Sequence, residues 1–216
     1  MRLFVTGGSG VLGRELVPQA RRAGHDVVAP RHHELDLFDA GAVHRAVRSA
    51  DAVIHLATRI PAPETMRQPD VWAENDRLRA EASRVLVDAA VGAGCDVHLQ
   101  PTITFLYPRE GAVDESTPVG TIPAYLASAL EAEAQAARFT EAGRRGVVLR
   151  LGLLWGPGAW TDAPDLRYGA TLHVEDAGRA LLAALKAPAG IHNVVSDGQR
   201  VSNERFKRVT GWRPLH

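Results

Sequence analysis

The stretch Met1-Arg2-Leu3-Phe4-Val5-Thr6-Gly7-Gly8-Ser9-Gly10-Val11-Leu12-Gly13 decides how this chain is read. Leu3–Thr6 is a short apolar run that stops at two glycines, and Val11–Ala23 then carries Leu12, Leu16 and Ala20 at helical spacing. A strand, a glycine turn and an amphipathic helix, in that order, aim backbone amides and the positive end of a helix at one point. Phosphate is attracted there. The glycines fit G-x-G-x-x-G through Gly8, Gly10 and Gly13, and G-x-x-G-x-x-G through Gly7, Gly10 and Gly13. In either register one glycine makes the tight turn, Gly10 lets a pyrophosphate approach the backbone, and Gly13 lets the helix pack close to the sheet. Gly7, Gly8, Ser9, Gly10, Val11, Leu12 and Gly13 are therefore expected to cradle a dinucleotide.

Outward from that turn, apolar runs alternate with amphipathic stretches. Asp26–Ala29, Ala52–Leu56, Val97–Gln100, Val147–Leu153 and Ile191–Val195 read as further strands. Helices are expected over Ala40–Ser49, Trp72–Ala93 (stopped by Gly92-Ala93-Gly94), Leu126–Glu141, from about Glu175 to Lys186, and Asn203–Val209. Near-continuous apolar strands such as Ala52–Ala57 suit burial on both faces. The expected fold is α/β: a Rossmann-type, doubly wound parallel sheet, one domain over residues 1–216, with a reduced C-terminal substrate lobe from about Gly156.

Composition narrows the function. The 216 residues balance 25 basic against 25 acidic groups, and no run of 18 apolar residues occurs. Neither nucleic acid nor a membrane is expected as partner. The N-terminus enters a strand directly, without the charged start and cleavage site of a signal peptide, and Cys95 is the single cysteine. A cytoplasmic location is the expectation. All basic residues but Lys186 and Lys207 are arginine, which with many Ala and Val suggests a GC-rich bacterial source.

TGGSGVLG, GHDVVAP, ELDLFD, AVIHLAT, AEND, PTITFLYP, AYLASALEAEA, VVLRLGLLWGPG and HVEDAGRAL follow one another along the chain. In order and spacing they resemble the extended and atypical short-chain dehydrogenase/reductases, the NAD-dependent epimerase/dehydratase family. The resemblance covers nearly the whole chain. It implies that Asp36 and Leu37 lie against the adenine and that Leu56, Ala57 and Thr58 line the cofactor. Where such a second strand normally ends in an acid that binds the ribose hydroxyls of NAD, this chain has Arg31, with His32 beside it. A guanidinium pairs well with a 2′-phosphate, so NADP(H) is expected over NAD(H).

The resemblance also implies a catalytic set: a tyrosine, a lysine four residues later, a serine or threonine, and often an asparagine. Tyr125, Asn75 and Thr102 fill three of these places, with Thr104 the alternative to Thr102. The lysine place holds Ala129. Lysine would lower the phenol pKa from near 10 and hold the nicotinamide ribose. Its absence leaves three readings: a redox enzyme with a rewired proton donor, a non-redox isomerase, lyase or cyclase, or a cofactor-binding sensor. The first is favoured, an NADP(H)-dependent oxidoreductase acting on a small carbonyl or hydroxyl substrate. Only 14 residues separate Gly158 from His173, where relatives build a substrate lobe. Tyr107 and Trp155, with Trp160 and Tyr168, are expected to border that substrate. Family members often pair through two long helices, here Trp72–Ala93 and Leu126–Glu141, which would give a C2 homodimer.

Other groups are expected to be structural. His32, His33, Glu34 and Asp36 match no strong zinc spacing, and no metal site is expected. His173-Val174-Glu175-Asp176 reads as a helix start with acids favouring its dipole. His55 and Cys95 read as core residues, and Glu131 and Glu133 as a solvated helix face.

Overall fold

The computed structural model describes residues 1–66, 68 and 70–216, with the backbone alone at 168. Its strands are β1 (Arg2–Thr6), β2 (Asp26–Val28), β3 (Ala52–His55), β4 (Val97–Ile103), β5 (Arg145–Leu151), β6 (Leu153–Trp155), β7 (Thr171–His173) and β8 (Gly190–Val194). Six of them form one sheet in the order β2-β1-β3-β4-β5-β8, and every pairing is parallel.

Helices α1 (Val11–Arg22), α2 (Ala40–Val47), α3 (Ala73–Arg77), α4 (Ser83–Ala93), α5 (Ala127–Glu141), α6 (Val174–Ala184) and α7 (Glu204–Thr210) cover both faces. The pleat explains the division. Leu3 and Val5 of β1 point into a core with Leu16 and Ala20 of α1, Leu181 of α6 and Phe206 of α7. Phe4 points the other way, into a second core with Val43 and Val47 of α2, Leu86 of α4 and Phe139 of α5. A strand with both faces buried has no place for alternation, hence the continuous apolar runs.

Three local features differ from the sequence expectation. The long helix over Trp72–Ala93 is interrupted by a π-helical turn at Leu78–Ala82 before it ends on Gly94 at φ +77°, a left-handed conformation that glycine adopts without steric cost. β4 continues past Pro101, which pairs in register with Leu149, as far as Ile103. The last long strand ends at Leu151; Leu153 belongs instead to β6, which pairs with β7 in a separate two-stranded sheet. Gly152 marks the crossing, since a β-carbon there would lie 2.6 Å from the Thr171 backbone. No helix among the described residues is long and apolar enough to cross a membrane.

Candidate cofactor and catalytic site

The strand order reverses at β1, which has β2 on one side and β3 on the other. The crevice at the carboxyl ends of β1 and β3 is where open α/β sheets bind ligands. Gly7 lies there at φ +68°, and a β-carbon on it would sit 2.6 Å from the Ala57 nitrogen. A β-carbon on Gly13 would overlap the Gly7 carbonyl oxygen and come within 2.5 Å of the Gly8 backbone. The turn itself thus demands glycine at both places. Gly10 is different: its nearest neighbour would be the Gly7 oxygen at 3.3 Å, so space above it is largely open. α1 begins directly after Gly10 with no side-chain cap and no acid in its first turn. Its first amides lack intrahelical partners and carry the positive end of the dipole. This cradle fits a pyrophosphate.

One imidazole fixes the crevice from below. His55 Nε2 lies 3.1 Å from the Leu78 carbonyl oxygen in the π-helical turn, and Nδ1 lies 2.7 Å from Thr6 Oγ1. A carbonyl only accepts, so Nε2 carries the proton and Thr6 donates to Nδ1. Thr6 Oγ1 in turn accepts from the Ala57 amide at 3.3 Å. Burial lowers the His55 pKa to about 4, partly offset by the Leu78 bond, which keeps the ring neutral in this role. β1, β3 and the π-helical turn are thereby joined through His55, a core histidine as its sequence context suggested.

The remaining expected cofactor residues fall around the same edge. A β-carbon on Gly8 would meet Ala29 at 2.8 Å, so the loop after β2 abuts the glycine turn. Arg31 and His32 are exposed on that loop. The Arg31 amide donates to Glu34 at 2.7 Å, while its guanidinium forms no ion pair among the described residues. Asp36 accepts from the Phe38 amide at 2.9 Å, and Leu37 packs against the second core. Leu56 is buried, Ala57 half-buried and Thr58 exposed. Arg14, unnoticed in the sequence, reaches the Trp155–Gly158 loop; a β-carbon on Gly158 would lie 2.6 Å from its guanidinium.

Tyr125 occupies the 3-10 turn Ala124–Leu126 that opens α5. It stacks on Trp72 with ring centroids 5.0 Å apart and planes 18° from parallel. Ala129 is fully buried beside Leu106 and Leu126, so the lysine's usual place is part of an apolar cluster. Asn75 is fully buried, and its side-chain oxygen accepts from the Arg59 amide at 3.1 Å, holding the loop after β3.

The two threonines are distinguished by their partners. Thr102 Oγ1 donates to Glu133 at 2.8 Å. Glu133 is also held by Arg150 through two bonds, Nε–Oε1 at 2.9 Å and Nη2–Oε2 at 2.7 Å. Glu133 is thus buried between α5 and the sheet, which corrects its assignment to a solvated face; the charge is compensated by Arg150 inside an otherwise apolar strand. Thr104 Oγ1 is buried with no partner among the described residues.

The two expected substrate-side aromatics are held by partners of their own. Tyr107 is 3% exposed, packs with Val113, Ala170, Val195 and Val201, and donates to Asn193 at 2.9 Å. Its ring lies beneath the Arg150 guanidinium at 4.7 Å. Burial raises its phenol pKa, an effect that Arg150 partly offsets. Trp155 meets His173 edge-on at 4.6 Å. Trp160 is exposed, and the side chain of Tyr168 lies outside the described residues. Cys95 is buried, donates to the Ala50 carbonyl, and has its pKa pushed up to about 11 by burial, partly offset by Arg144. It is a structural thiol.

Residues 3–168 match the family described as NAD dependent epimerase/dehydratase family. The chain belongs to that family. Among curated members of similar sequence is a 3-diazoavenalumate denitrifying reductase from a Streptomyces species, 31% identical, aligned over 91% of this chain and 76% of the relative. A dTDP-4-dehydrorhamnose reductase from Mycobacterium tuberculosis is also 31% identical, over 90% of this chain and 68% of the relative. In fold the chain matches a UDP-glucuronic acid 4-epimerase from Bacillus cereus solved with NAD, at a TM-score of 0.84 and 14% identity, covering 100% of this chain and 94% of that one. RMD from Pseudomonas aeruginosa, solved with NADPH, matches at 0.80 and 23% identity, covering 100% and 95%. The epimerase/dehydratase family assignment agrees with the crevice: this is an NAD(P)-dependent enzyme of the reductase–epimerase kind with a Rossmann-type sheet.

Proposed function

We propose that the protein is an NADP(H)-dependent oxidoreductase that interconverts a carbonyl and a hydroxyl on a small substrate. The observation that carries this reading is the glycine cradle at the reversal point of the sheet, beside a loop whose Arg31 guanidinium is exposed and has no ion pair among the described residues. A 2′-phosphate offers that guanidinium a dianionic partner with matching geometry. A bound nicotinamide would supply or accept the hydride. Tyr125 would exchange the proton with the substrate oxygen, its ring held by Trp72. Thr104, whose hydroxyl has no partner among the described residues, would polarise that oxygen, whereas Thr102 donates to Glu133. Asn75 orders the loop after β3. The short segment between Gly158 and His173 favours a small substrate.

The test is NADPH oxidation by the purified protein with a panel of small ketones and aldehydes. Turnover is expected, and Tyr125→Phe is expected to lower kcat on the order of 100-fold or more while leaving cofactor affinity within about 3-fold. Full activity in Tyr125→Phe would remove the assigned role. Tight NADPH binding without turnover on any carbonyl would favour non-redox chemistry or sensing, readings that the apolar burial of Ala129 supports.

Cofactor choice is tested separately. Arg31→Asp is expected to weaken NADPH on the order of 10- to 100-fold, the loss of about 1.4–2.8 kcal/mol, and to leave NADH unchanged or tighter. An unchanged ratio of the two affinities, read by fluorescence titration, would sink the 2′-phosphate assignment.

A further inference from the structure

Beside Trp155, two histidines and a glutamate meet, brought together from the β7–α6 junction and the segment after α7. His173 ends β7 and precedes α6; Glu175 lies in the first turn of α6. His216 arrives from the other side, on the segment that follows α7. That segment is firmly seated. Trp212 is buried in the main core and donates to the Asp176 carbonyl at 3.2 Å. The Leu215 and His216 amides both donate to the fully buried Asp176 carboxylate at 3.0 Å.

The same carboxylate orients the His216 ring. Asp176 Oδ2 lies 3.2 Å from His216 Nδ1 and accepts its proton, which leaves the lone pair on Nε2. Nε2 lies 3.9 Å from Glu175 Oε2. The His173 and His216 ring centroids are 3.9 Å apart. One donor atom each from His173, Glu175 and His216 lies within 4.8 Å of the others. His173 Nδ1 is itself buried without a hydrogen-bond partner among the described residues.

We propose that His173, Glu175 and His216 form a binding site for a divalent transition-metal ion, with Zn2+ the best match. Two imidazoles and one carboxylate are a ligand set that zinc uses, at about 2.0–2.2 Å per bond, with a fourth position left to water. Nitrogen donors disfavour Mg2+ and Ca2+. Ligand histidines commonly donate their second nitrogen to a carboxylate, which is the arrangement Asp176 makes with His216. Glu175 and His216 are exposed, so an ion can enter. The ligand atoms need to close by about 1 Å, a rotamer-scale movement at the surface. The ion would fasten the 211–216 segment to the start of α6, next to Trp155. The expectation from sequence was that no metal binds; H-x-E in one place and a histidine some 40 positions later do not show their proximity.

The experiment uses the full chain, stripped with EDTA and desalted, titrated with ZnCl2 by calorimetry and monitored by thermal unfolding. One Zn2+ per chain is expected, with a rise in Tm of several degrees at saturation. His216→Ala and Glu175→Gln, both at exposed side chains, should each weaken binding at least about 10-fold, as should His173→Ala. The double change His33→Ala with His44→Ala, at exposed histidines elsewhere, should leave zinc affinity unchanged. Absence of a one-to-one site in the parent chain would overturn the proposal. So would unchanged affinity in His216→Ala, or loss of the site in the His33/His44 variant alone.

Discussion

Gly13→Ala is expected to weaken dinucleotide binding on the order of 100-fold or more, about 2.8 kcal/mol. The new methyl group would overlap the Gly7 carbonyl and the Gly8 backbone. Backbone cannot swing aside as a side chain can, so the whole turn must shift, and the amides that would face a pyrophosphate shift with it. Gly10→Ala provides the control. There the methyl would press only on the Gly7 oxygen, at 3.3 Å, so the turn needs a far smaller adjustment than in Gly13→Ala. A drop in affinity in Gly10→Ala with unchanged stability would report the ligand's own approach to residue 10. Fluorescence titration with NADPH and NADH, alongside urea unfolding, separates the two cases. Affinity within about 3-fold of the parent in Gly13→Ala would show that the dinucleotide does not use this turn.

Glu133→Ala should be the most destabilising change near the proposed catalytic residues, by about 3–5 kcal/mol. It leaves Arg150, 3% exposed, with its charge buried and uncompensated. It also strips Thr102 of its acceptor. Glu133→Gln should cost less, because an amide oxygen can still accept from one donor. Replacing both partners, as in Glu133→Leu with Arg150→Met, should recover most of the loss, since a packed apolar pair has no desolvation penalty. Urea unfolding at neutral pH reads all three. A loss below about 1 kcal/mol in Glu133→Ala would mean that water reaches Arg150.

How far the sequence discloses such features depends on what enforces them. The glycine turn is legible because its spacing is a requirement of backbone geometry, and Gly7 and Gly13 prove to be sites where no side chain fits. The alternating strands and helices are legible because β1 buries both faces. Glu133 is not, since it sits between Ala132 and Ala134 in a helix whose alanines give little contrast between faces. Arg150 holds the missed signal: an arginine inside the apolar run Val147–Leu151 needs a carboxylate nearby. The π-helical turn has no local sequence mark either. Its carbonyl at Leu78 is engaged by His55, 23 residues earlier in the chain. Thr102 and Thr104 could be told apart only by finding which hydroxyl has a partner. Tyr107, expected at the border of the substrate, turns its ring inward onto Asn193.

Leu3 and Trp212 are members of one apolar cluster. At synthesis rates of about 5–20 residues per second, roughly 10–40 s separate their emergence from the ribosome. β1 also awaits β3 before its second parallel partner exists, because parallel neighbours cannot be joined by a tight hairpin. During that interval the apolar faces of β1 and α1 have no complete core to enter. Long-range pairing of this kind makes for slow closure and an aggregation-exposed nascent state. The ring that caps the main core is thus also the last timer on its folding, and a chain halted before residue 212 would present that core unsealed to chaperones and proteases.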